Sequence, residues 1–486
     1  MEAYGIHNLR PANLERDQEI LSKWPSTQTR SSHGQGQEFS ARSSRDSHPV
    51  LVVPKLDNSG LPQMSTPLLD LPLSISQSCY RDVAMPAGSN SSCNVIIEFV
   101  GPKSYPQDKV LWALAVLCKR HDALRTYFNA DPPTQQVTLD ASGMEPDRLE
   151  AATQLSSYPD FLTVIEFSRA KRLEFAETVI DPLVWPLFRI ASFGEPAEGH
   201  AFVLCAHHLI ADAHALEIFV SQFLGILNGS MGVGRDSIVE ATYWEYARWQ
   251  RREREAVAAR AARDVWLDRF GTIQRYTSLG AVSAIGRSHG VLKTLEPTTA
   301  GGVRRLARAS GASVLAVILA GYGIALRRHF DVEPVLAVPV LARPLEKHHT
   351  IIGCCALLAV VYPATEGRAK ALVASANECL AQLRSCSTFS ILDLEARLGI
   401  GRPSGRYPVT TLILNQKFVL PSEGALPRES PRDLGREIGF DLQLRVKRMG
   451  DNIMLDYIYR SDVLADDTVV RFHSSVDREL RRLVWG

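Results

Sequence analysis

The chain has 486 residues, of which 45% are hydrophobic and 22% are charged, as in ordinary globular proteins. Its 54 Lys and Arg residues nearly balance its 53 Asp and Glu residues, and the formal net charge is +1. A balanced charge gives no general attraction to nucleic acid or to anionic membranes, so neither is expected as a partner. The longest apolar run, at 351–362, is shorter than the ~20 residues of a membrane-spanning helix, so no transmembrane segment is predicted.

The first residues are polar and lack the basic-then-apolar layout of a secretory signal, which favours a cytoplasmic protein. Residues 1–65 are rich in Ser, Gln, Arg, Gly and Pro and contain few apolar side chains. Such a composition buries too little apolar surface to offset the conformational entropy lost on ordering. We therefore predict a flexible N-terminal extension over 1–65, with the folded part beginning near Leu71.

The eight cysteines form no CxxC pair and no Cys/His spacing that is typical of a zinc site. Most of them lie in apolar runs such as AFVLCA at 201–206. The sequence therefore predicts free, buried thiols.

In the first half of the chain, β-like runs alternate with helical patterns, which is typical of an α/β protein. The β-like runs are 94–100, 162–168 and 201–206. A helix is predicted at about 106–120, where Val110, Leu114 and Leu117 share one face.

A charged stretch at 243–270, rich in Ala and Arg and without Gly or Pro, predicts one or two long surface helices between the two halves. Strands are predicted after it at 291–296, 335–340, 409–415, 440–446 and 453–459. Helices are predicted at 299–328, 367–385 and 466–484. The sequence thus indicates two α/β lobes of similar size, one over 66–245 and one over 276–486, joined by bridging helices over 246–275.

One segment combines residues that can carry chemistry. The β-like run 201–206 leads to two adjacent histidines, His207 and His208, and Asp212 precedes an apolar-periodic helix, where an N-cap is favoured. A histidine at a strand end can serve a cleft as a general base, whereas surface or cap residues without a chemical role fit the same segment equally well. A metal site that also uses His214 is a third interpretation, but nothing else nearby has ligand spacing.

HHLIADA at 207–213 resembles the HHxxxDG motif of the condensation domains of nonribosomal peptide synthetases, a family of chloramphenicol acetyltransferase-like acyltransferases. Other segments are similar to the family's in the same order over about 70–480. They are LPLSISQ (71–77), KRHDALRTYF (119–128), DPLVWPLFRIASF (181–193), YWEYARWQ (243–250), VWLDRF (265–270), ASGASVLAVILAGYGIALRR (309–328), VLAVPVLARP (335–344), IIGCCALL (351–358), TLILNQ (411–416) and FDLQL (440–444).

The resemblance implies an α/β fold of two chloramphenicol acetyltransferase-like lobes, which form a V-shaped pseudo-dimer with a tunnel between them. It also implies that His208 orients or deprotonates the attacking amine or hydroxyl and helps to stabilise the tetrahedral intermediate. His207 is expected to be structural, because adjacent residues of an extended chain point to opposite sides. Asp212 is expected to pair with Arg343 and so fix the loop that carries His208.

Two further positions are implied to face the substrate, Asn415 at the end of a strand and Ala213 in the motif itself. Ala213 stands where the family has glycine, so the backbone there must be one that alanine can adopt. The asparagine that often follows the family's IGC segment is absent, which suggests a more apolar channel. The RHDALRT segment (120–126) and the pair His348 and His349 are expected to be structural, the latter as a polar loop entering a strand at IIGCC.

By this resemblance we expect a stand-alone condensation enzyme of natural-product biosynthesis. It would join an acyl or aminoacyl thioester, tethered to a carrier protein, to an amine or an alcohol. No cofactor is expected to be bound permanently, because the phosphopantetheine arm of an acyl or peptidyl carrier protein, acting in trans, would bring the donor. The acceptor would be a small molecule or a carrier-bound nucleophile, and the protein a monomer. Two alternatives remain, a CoA-dependent O- or N-acyltransferase and a catalytically silent binding or scaffold member.

Overall fold

The computed structural model describes most of the chain from Asp70 onward. The described residues are 70–84, 91–101, 105–129, 135–146, 149, 156–158, 177–195, 199–231, 241–273, 275–280, 286–383, 386–400, 406–407, 409–417, 437–449 and 452–486. The predicted extension over 1–65 and the predicted strand at 162–168 lie outside them. All described residues belong to one unit, Asp57–Gly486.

The first half of the described chain forms two sheets. A three-stranded antiparallel sheet consists of β1 (Asp70–Pro72), β3 (Thr126–Phe128) and β4 (Gln135–Thr138), with β4 in the centre. A four-stranded sheet consists of β2 (Asn94–Gly101), β5 (Ser156–Tyr158), β6 (Phe188–Glu195) and β7 (Gly199–His207), in the order β2-β7-β6-β5. The strands predicted at 94–100 and 201–206 are confirmed. Because β7 is central, its apolar run is buried and ends at the paired histidines.

Among the described residues of this half, three α-helices accompany these sheets: α1 (Ile75–Ala84), α2 (Gln107–Arg120) and α3 (Ala213–Asn228). The prediction of α2 is confirmed, and its three predicted apolar positions are fully buried. Helix α1 was not predicted, although Ile75, Cys79, Tyr80 and Val83 are all buried and their spacing is that of a helical face. The polar residues between them obscured that pattern.

The connection between the halves contains α4 (Tyr243–Arg254) and α5 (Val257–Asp268). The prediction of one or two helices is confirmed, since two are present, but the description of both as surface helices is wrong. Tyr243, Tyr246 and Gln250 of α4 are buried, because this helix lies between segments of both halves. The sequence does not predict this buried face, because it is narrow, its three long side chains carry polar groups, and charged and Ala residues surround it.

A seven-stranded mixed sheet forms the second half. Its strands are β8 (Gly286–Thr294), β9 (Leu336–Leu341), β10 (Ala356–Val361), β11 (Leu412–Lys417), β12 (Glu437–Ile438), β13 (Leu442–Met449) and β14 (Asn452–Arg460). They are arranged in the order β10-β9-β11-β13-β14-β8-β12, and β11 runs parallel to both of its neighbours. The five strands predicted here are confirmed with small shifts in their bounds. The residues IIGCC are a loop and not the predicted strand, which begins only at Ala356.

Five α-helices belong to this half: α6 (Pro297–Ala309), α7 (Val314–Phe330), α8 (Ala369–Gln382), α9 (Ile391–Leu398) and α10 (Asp466–Trp485). The single pattern predicted at 299–328 is two helices, α6 and α7, separated at Gly311 with φ of +60°. Helix α7 is apolar on all sides and is buried over Ala316–Leu326. A Cβ on Gly321 would lie 2.6 Å from Leu480, so this glycine permits the close packing of α7 on α10.

The two smaller sheets come from residues 70–207 and the large sheet from residues 286–460, as expected for two α/β lobes. The lobe bounds at 66–245, 246–275 and 276–486 stay predictions. The eight cysteines are free, and seven of them are buried while Cys379 is partly exposed, which confirms the prediction for the thiols.

Among the described helices, none is by itself long and apolar enough to cross a membrane. The pair α6 and α7 meets those limits only when its two helices are taken together across a bend of 112°.

Candidate active site

The strand β7 delivers the two motif histidines to different environments. His207 is 1% exposed, and its Nδ1 accepts a hydrogen bond from the amide of Leu209 at 3.2 Å. Burial, with a smaller effect of the adjacent His208, lowers the pKa of His207 to about 3. The ring is therefore neutral at ordinary pH and serves as a buried acceptor that shapes the turn after β7, as predicted for a structural residue.

His208 lies on the other side of the chain and is only partly buried. Its backbone amide donates to the carbonyl of Cys93 at 2.7 Å, which anchors the residue to the segment before β2. Its imidazole stacks on the ring of Tyr80, with centroids 4.1 Å apart and an interplanar angle of 19°. Its Nδ1 lies 3.8 Å from the Sγ of Cys354. The motif histidine is thus held by residues from both halves of the chain.

Asp212 is the N-cap of α3, as predicted. Its Oδ1 accepts from the amide of Ala215 at 2.8 Å, which satisfies one of the unpaired donors of the first helical turn. Its Oδ2 accepts from the amide of Cys355 at 2.9 Å, and its own amide donates to Gly353 at 3.3 Å. One aspartate therefore connects the start of α3 to the loop 351–355 of the second half.

The predicted ion pair between Asp212 and Arg343 is confirmed. The Nη2 of Arg343 lies 3.2 Å from Oδ1 and 3.3 Å from Oδ2 of Asp212, and the two residues are 4% and 2% exposed. Burial alone raises the pKa of the Asp212 carboxyl, but the guanidinium of Arg343 and the amides of Ala215 and Cys355 outweigh it, so the pKa falls below its ordinary value.

The second terminal nitrogen of Arg343, Nη1, is bound to the loop that follows this arginine. Its Nη1 donates to the carbonyls of His348 at 2.9 Å and Ile351 at 2.6 Å. The expectation that His348 belongs to a polar loop is wrong, because its side chain is 1% exposed and packs against the rings of Tyr246 and Trp249. A short 3₁₀ helix at Glu346–His348 turns this imidazole inward and presents its carbonyl to Arg343.

Helix α4 fixes the loop 351–355 from another side. The hydroxyl of Tyr243 lies 2.8 Å from Ser74 Oγ and donates to the carbonyl of Cys354 at 2.8 Å. A Cβ at Gly353 would lie 2.0 Å from the Tyr243 ring, so only glycine fits beneath this tyrosine. Tyr243 is not among the site residues that the sequence predicts, although it begins the segment YWEYARWQ, which is similar to a segment of the condensation-domain family.

Further polar contacts extend this support. The Oη of Tyr246 donates to the carbonyl of Ala342 at 2.8 Å, beside Arg343. The Nε2 of Gln77 donates to the carbonyl of Leu209 at 2.9 Å, just after the motif histidines. The predicted structural role of the segment 120–126 is also supported, because the buried Asp122 carboxylate accepts from the first two amides of α4 at 2.9 and 2.8 Å.

Ala213 is the first residue of α3, where ordinary helical backbone angles suit alanine, and its side chain is exposed. The replacement of the family's glycine therefore needs no unusual backbone conformation. Asn415 lies on β11 opposite Arg445 and is partly exposed. The contacts described around His208 and Asp212 do not include Asn415, so its role at the substrate stays a prediction.

The third interpretation of the motif is a metal site that also uses His214. In the part of the chain that the structure describes, no three His, Cys, Asp or Glu side chains form a group that could hold a metal ion. His214, one of the four candidate ligands, lies with its Nδ1 3.3 Å from Glu217 on α3.

The arrangement leaves one side chain of this cluster suited to acid–base chemistry. It places one partly exposed imidazole at the end of a rigid strand, while the nearby carboxylate is fully engaged with an arginine and two amides. Because Asp212 is held in this way, it positions the loop, and His208 is the group in this cluster that is suited to exchange a proton with a substrate.

The family model of the Condensation domain matches residues 70–484. Tyrocidine synthase 3 of Brevibacillus parabrevis is 24% identical to the chain over 407 residues, which are 79% of this chain and 6% of that protein. The chain thus spans a small part of this relative's length.

Among solved structures, the X-domain in its complex with OxyB from teicoplanin biosynthesis has a TM-score of 0.70 at 18% identity, covering 87% of this chain and 94% of that chain. SgcC5 from Streptomyces globisporus has a TM-score of 0.66 at 17% identity, covering 85% of this chain and 98% of that chain. These likenesses confirm the predicted two-lobed fold.

We expect Arg343→Ala to lower both stability and activity. Removing one partner of a buried ion pair leaves an uncompensated charge and costs about 3 to 5 kcal/mol of unfolding free energy. Urea denaturation measures this change. Arg397→Ala is the matched control, since Arg397 pairs with Asp268 at 3.2 Å on an exposed surface, where the expected loss is at most about 1 kcal/mol. Equal losses in the two variants would contradict the prediction.

We also expect stability to fall as the pH drops below about 6.5. The pKa of His207 is about 3 in the folded protein and near 6.5 in the unfolded chain, so protons bind the unfolded state first. The contribution of His207 is therefore fully present above pH 6.5, and about 2 kcal/mol of it is lost at pH 5. Urea denaturation at pH 7.5 and pH 5 tests this, and His207→Asn should show the smaller pH dependence. An identical pH dependence in both proteins would rule out this assignment.

Proposed function

The chain belongs to the condensation-domain family, and from this membership we propose that it is a stand-alone condensation enzyme of natural-product biosynthesis. Condensation domains are acyltransferases that form amide bonds in nonribosomal peptide synthesis. In our proposal, the donor is an acyl or aminoacyl thioester on the phosphopantetheine arm of a carrier protein in trans. The acceptor is an amine, either free or carrier-bound, and the enzyme is a monomer.

The observation that carries the proposal is the setting of His208. This ring is partly exposed at a strand end, while His207, Asp212 and Arg343 around it are buried and engaged in structural contacts. A group that must touch substrate has to be accessible and held in place, and His208 combines both properties.

This geometry supports the following reaction. The acceptor nitrogen attacks the thioester carbonyl carbon, and Nε2 of His208 orients the amine and takes up its proton as the C–N bond forms. The tetrahedral intermediate then collapses, the C–S bond breaks, and the same proton passes to the departing thiol. The products are an amide and the free phosphopantetheine thiol. Nε2 is assigned this role because Nδ1 lies against Cys354.

Asn415 and Ala213 are proposed to position the substrate or the developing oxyanion. An amide side chain on the strand β11 can donate to a carbonyl oxygen, and such a donor contributes most when negative charge develops in the transition state. Ala213 is exposed at the first position of α3, where the helix terminus favours negative charge.

Ester formation is a second form of the same activity, since the histidine geometry serves a hydroxyl as well as an amine. SgcC5 is described in complex with a naphthyl-1,2-ethanediol, which carries two hydroxyl groups.

A binding or scaffold role is the second candidate, and one neighbour favours it. The X-domain with a similar fold is described in a complex with OxyB, so this fold also occurs as a protein-binding unit. The residues Ala213 and His214, which depart from the family motif, are compatible with that role. A CoA-dependent acyltransferase with the same histidine is the third candidate.

We predict that His208→Ala suppresses turnover, whereas His207→Ala acts mainly on stability. Loss of a positioned acid–base group typically lowers the rate about 100- to 10,000-fold. Single-turnover assays with a carrier-bound thioester measure the rate, and thermal melting measures the fold. His208→Ala should melt close to the wild type because its ring is partly exposed. A near-native rate in His208→Ala would remove the histidine from the mechanism.

We predict that a carrier-tethered thioester is a better donor than the CoA thioester of the same acyl group. The comparison uses equal donor concentrations and intact-protein mass spectrometry of the carrier before and after reaction. Because encounters with carriers are small and transient, binding should be weak even where turnover is efficient. Equal or faster turnover of the CoA thioester would favour the CoA-dependent alternative, and the absence of turnover with both donors would favour the binding role.

A further inference from the structure

The imidazole of His208 is contacted by two side chains that lie outside its own motif. Tyr80 of α1 covers one face of the ring at 4.1 Å, and Cys354 places its Sγ 3.8 Å from Nδ1. Tyr80 is 4% exposed and Cys354 is fully buried. The stacked Tyr80 restricts tilting of the ring and its rotation about the Cβ–Cγ bond, and the sulfur of Cys354 lies beside one of its two nitrogens.

The position of Cys354 is itself fixed by several hydrogen bonds on either side of it. Its carbonyl accepts from Tyr243 Oη at 2.8 Å, the following amide, of Cys355, donates to Asp212 at 2.9 Å, and Arg343 binds the carbonyl of Ile351 at 2.6 Å. The thiol thus sits on a loop whose backbone cannot easily move. Because the loop is rigid, even a weak contact of the sulfur can hold the His208 ring in one orientation.

We propose that Cys354 is a positioning residue for His208. Its thiol contacts Nδ1, selects one tautomer of the ring and directs Nε2 toward the substrates. The proposal rests on the function proposed above, because it assigns the reacting nitrogen of the same histidine.

The chemistry of the thiol suits this role better than a nucleophilic one. Burial raises the pKa of Cys354 well above its ordinary value, so the group stays protonated. For Nε2 to take up a proton, the ring hydrogen must lie on Nδ1, and the sulfur of Cys354 then accepts weakly from this Nδ1–H. A nucleophile would have to reach the thioester carbon, whereas this side chain has no exposed surface.

The test compares Cys354→Ala with Cys354→Ser in single-turnover assays with a carrier-bound donor. Misplacement of a reacting group lowers the rate strongly, and we expect Cys354→Ala to react about 10- to 100-fold more slowly with little change in KM for the donor. Serine keeps a polar acceptor facing Nδ1, although its oxygen lies farther from the ring than the sulfur does, and it should recover part of the rate. Cys118→Ala is the matched control, because it removes another fully buried thiol, on α2, and it should keep the wild-type rate.

A second measurement does not depend on turnover. With ¹⁵N-labelled histidine, NMR reports the tautomer of His208, whose signal is assigned by its loss in His208→Gln. We expect one tautomer in the wild type and in Cys354→Ser, and a mixture in Cys354→Ala. If Cys354→Ala retains both the wild-type rate and the wild-type tautomer, the proposal is overturned. If no donor is turned over but the tautomer responds to Cys354→Ala, the contact stands and the proposed function fails.

Discussion

The buried ion pair between Asp212 and Arg343 is the interaction on which the candidate site depends. It joins the N-terminus of α3, in the first half of the chain, to the segment that follows β9 in the second half. Two charges removed from water need further hydrogen bonds to offset the loss of hydration. Asp212 accepts from the amides of Ala215 and Cys355, and Nη1 of Arg343 donates to the carbonyls of His348 and Ile351, whereas its buried Nε makes no hydrogen bond within the described part of the chain.

These contacts have a common result, which is a rigid loop at 351–355. Gly353 fits under the ring of Tyr243 because it has no side chain, and the carbonyl of Cys354 accepts from the hydroxyl of the same tyrosine. The loop therefore reaches His208 from the second half of the chain while Tyr80 reaches it from the first. The histidine is accessible, yet the residues that restrain it are buried. That combination is what acid–base catalysis needs, since an exposed but freely rotating ring would seldom adopt the reactive orientation.

The departures from the family motif have simple structural consequences. Ala213 takes the place of a glycine at a position with helical backbone, so the substitution adds a methyl group to an exposed helix terminus and causes no strain. Leu357 and Leu358 lie on β10, shortly after the loop that contains Cys354 and Cys355, and both are buried. The apolar residues found in place of the family's asparagine therefore belong to the core of the large sheet, and the channel suggested from the sequence is not formed by these two side chains.

The sequence by itself determined most of the strands and helices, because their apolar periodicity reflects burial directly. The resemblance to the condensation-domain family implied the pairing of Asp212 with Arg343, and the alternation of side chains along a strand implied that His207 and His208 point to opposite sides. Only the tertiary structure decided that Tyr80 and Cys354 contact His208, that His348 is buried, and that Tyr243 holds the loop 351–355. These contacts join residues about 100 or more positions apart, and each of these residue types also occurs in ordinary protein cores. No local pattern distinguishes a tyrosine or cysteine that packs on a catalytic ring from one that only fills space, because the difference lies in which distant segment the fold brings beside it.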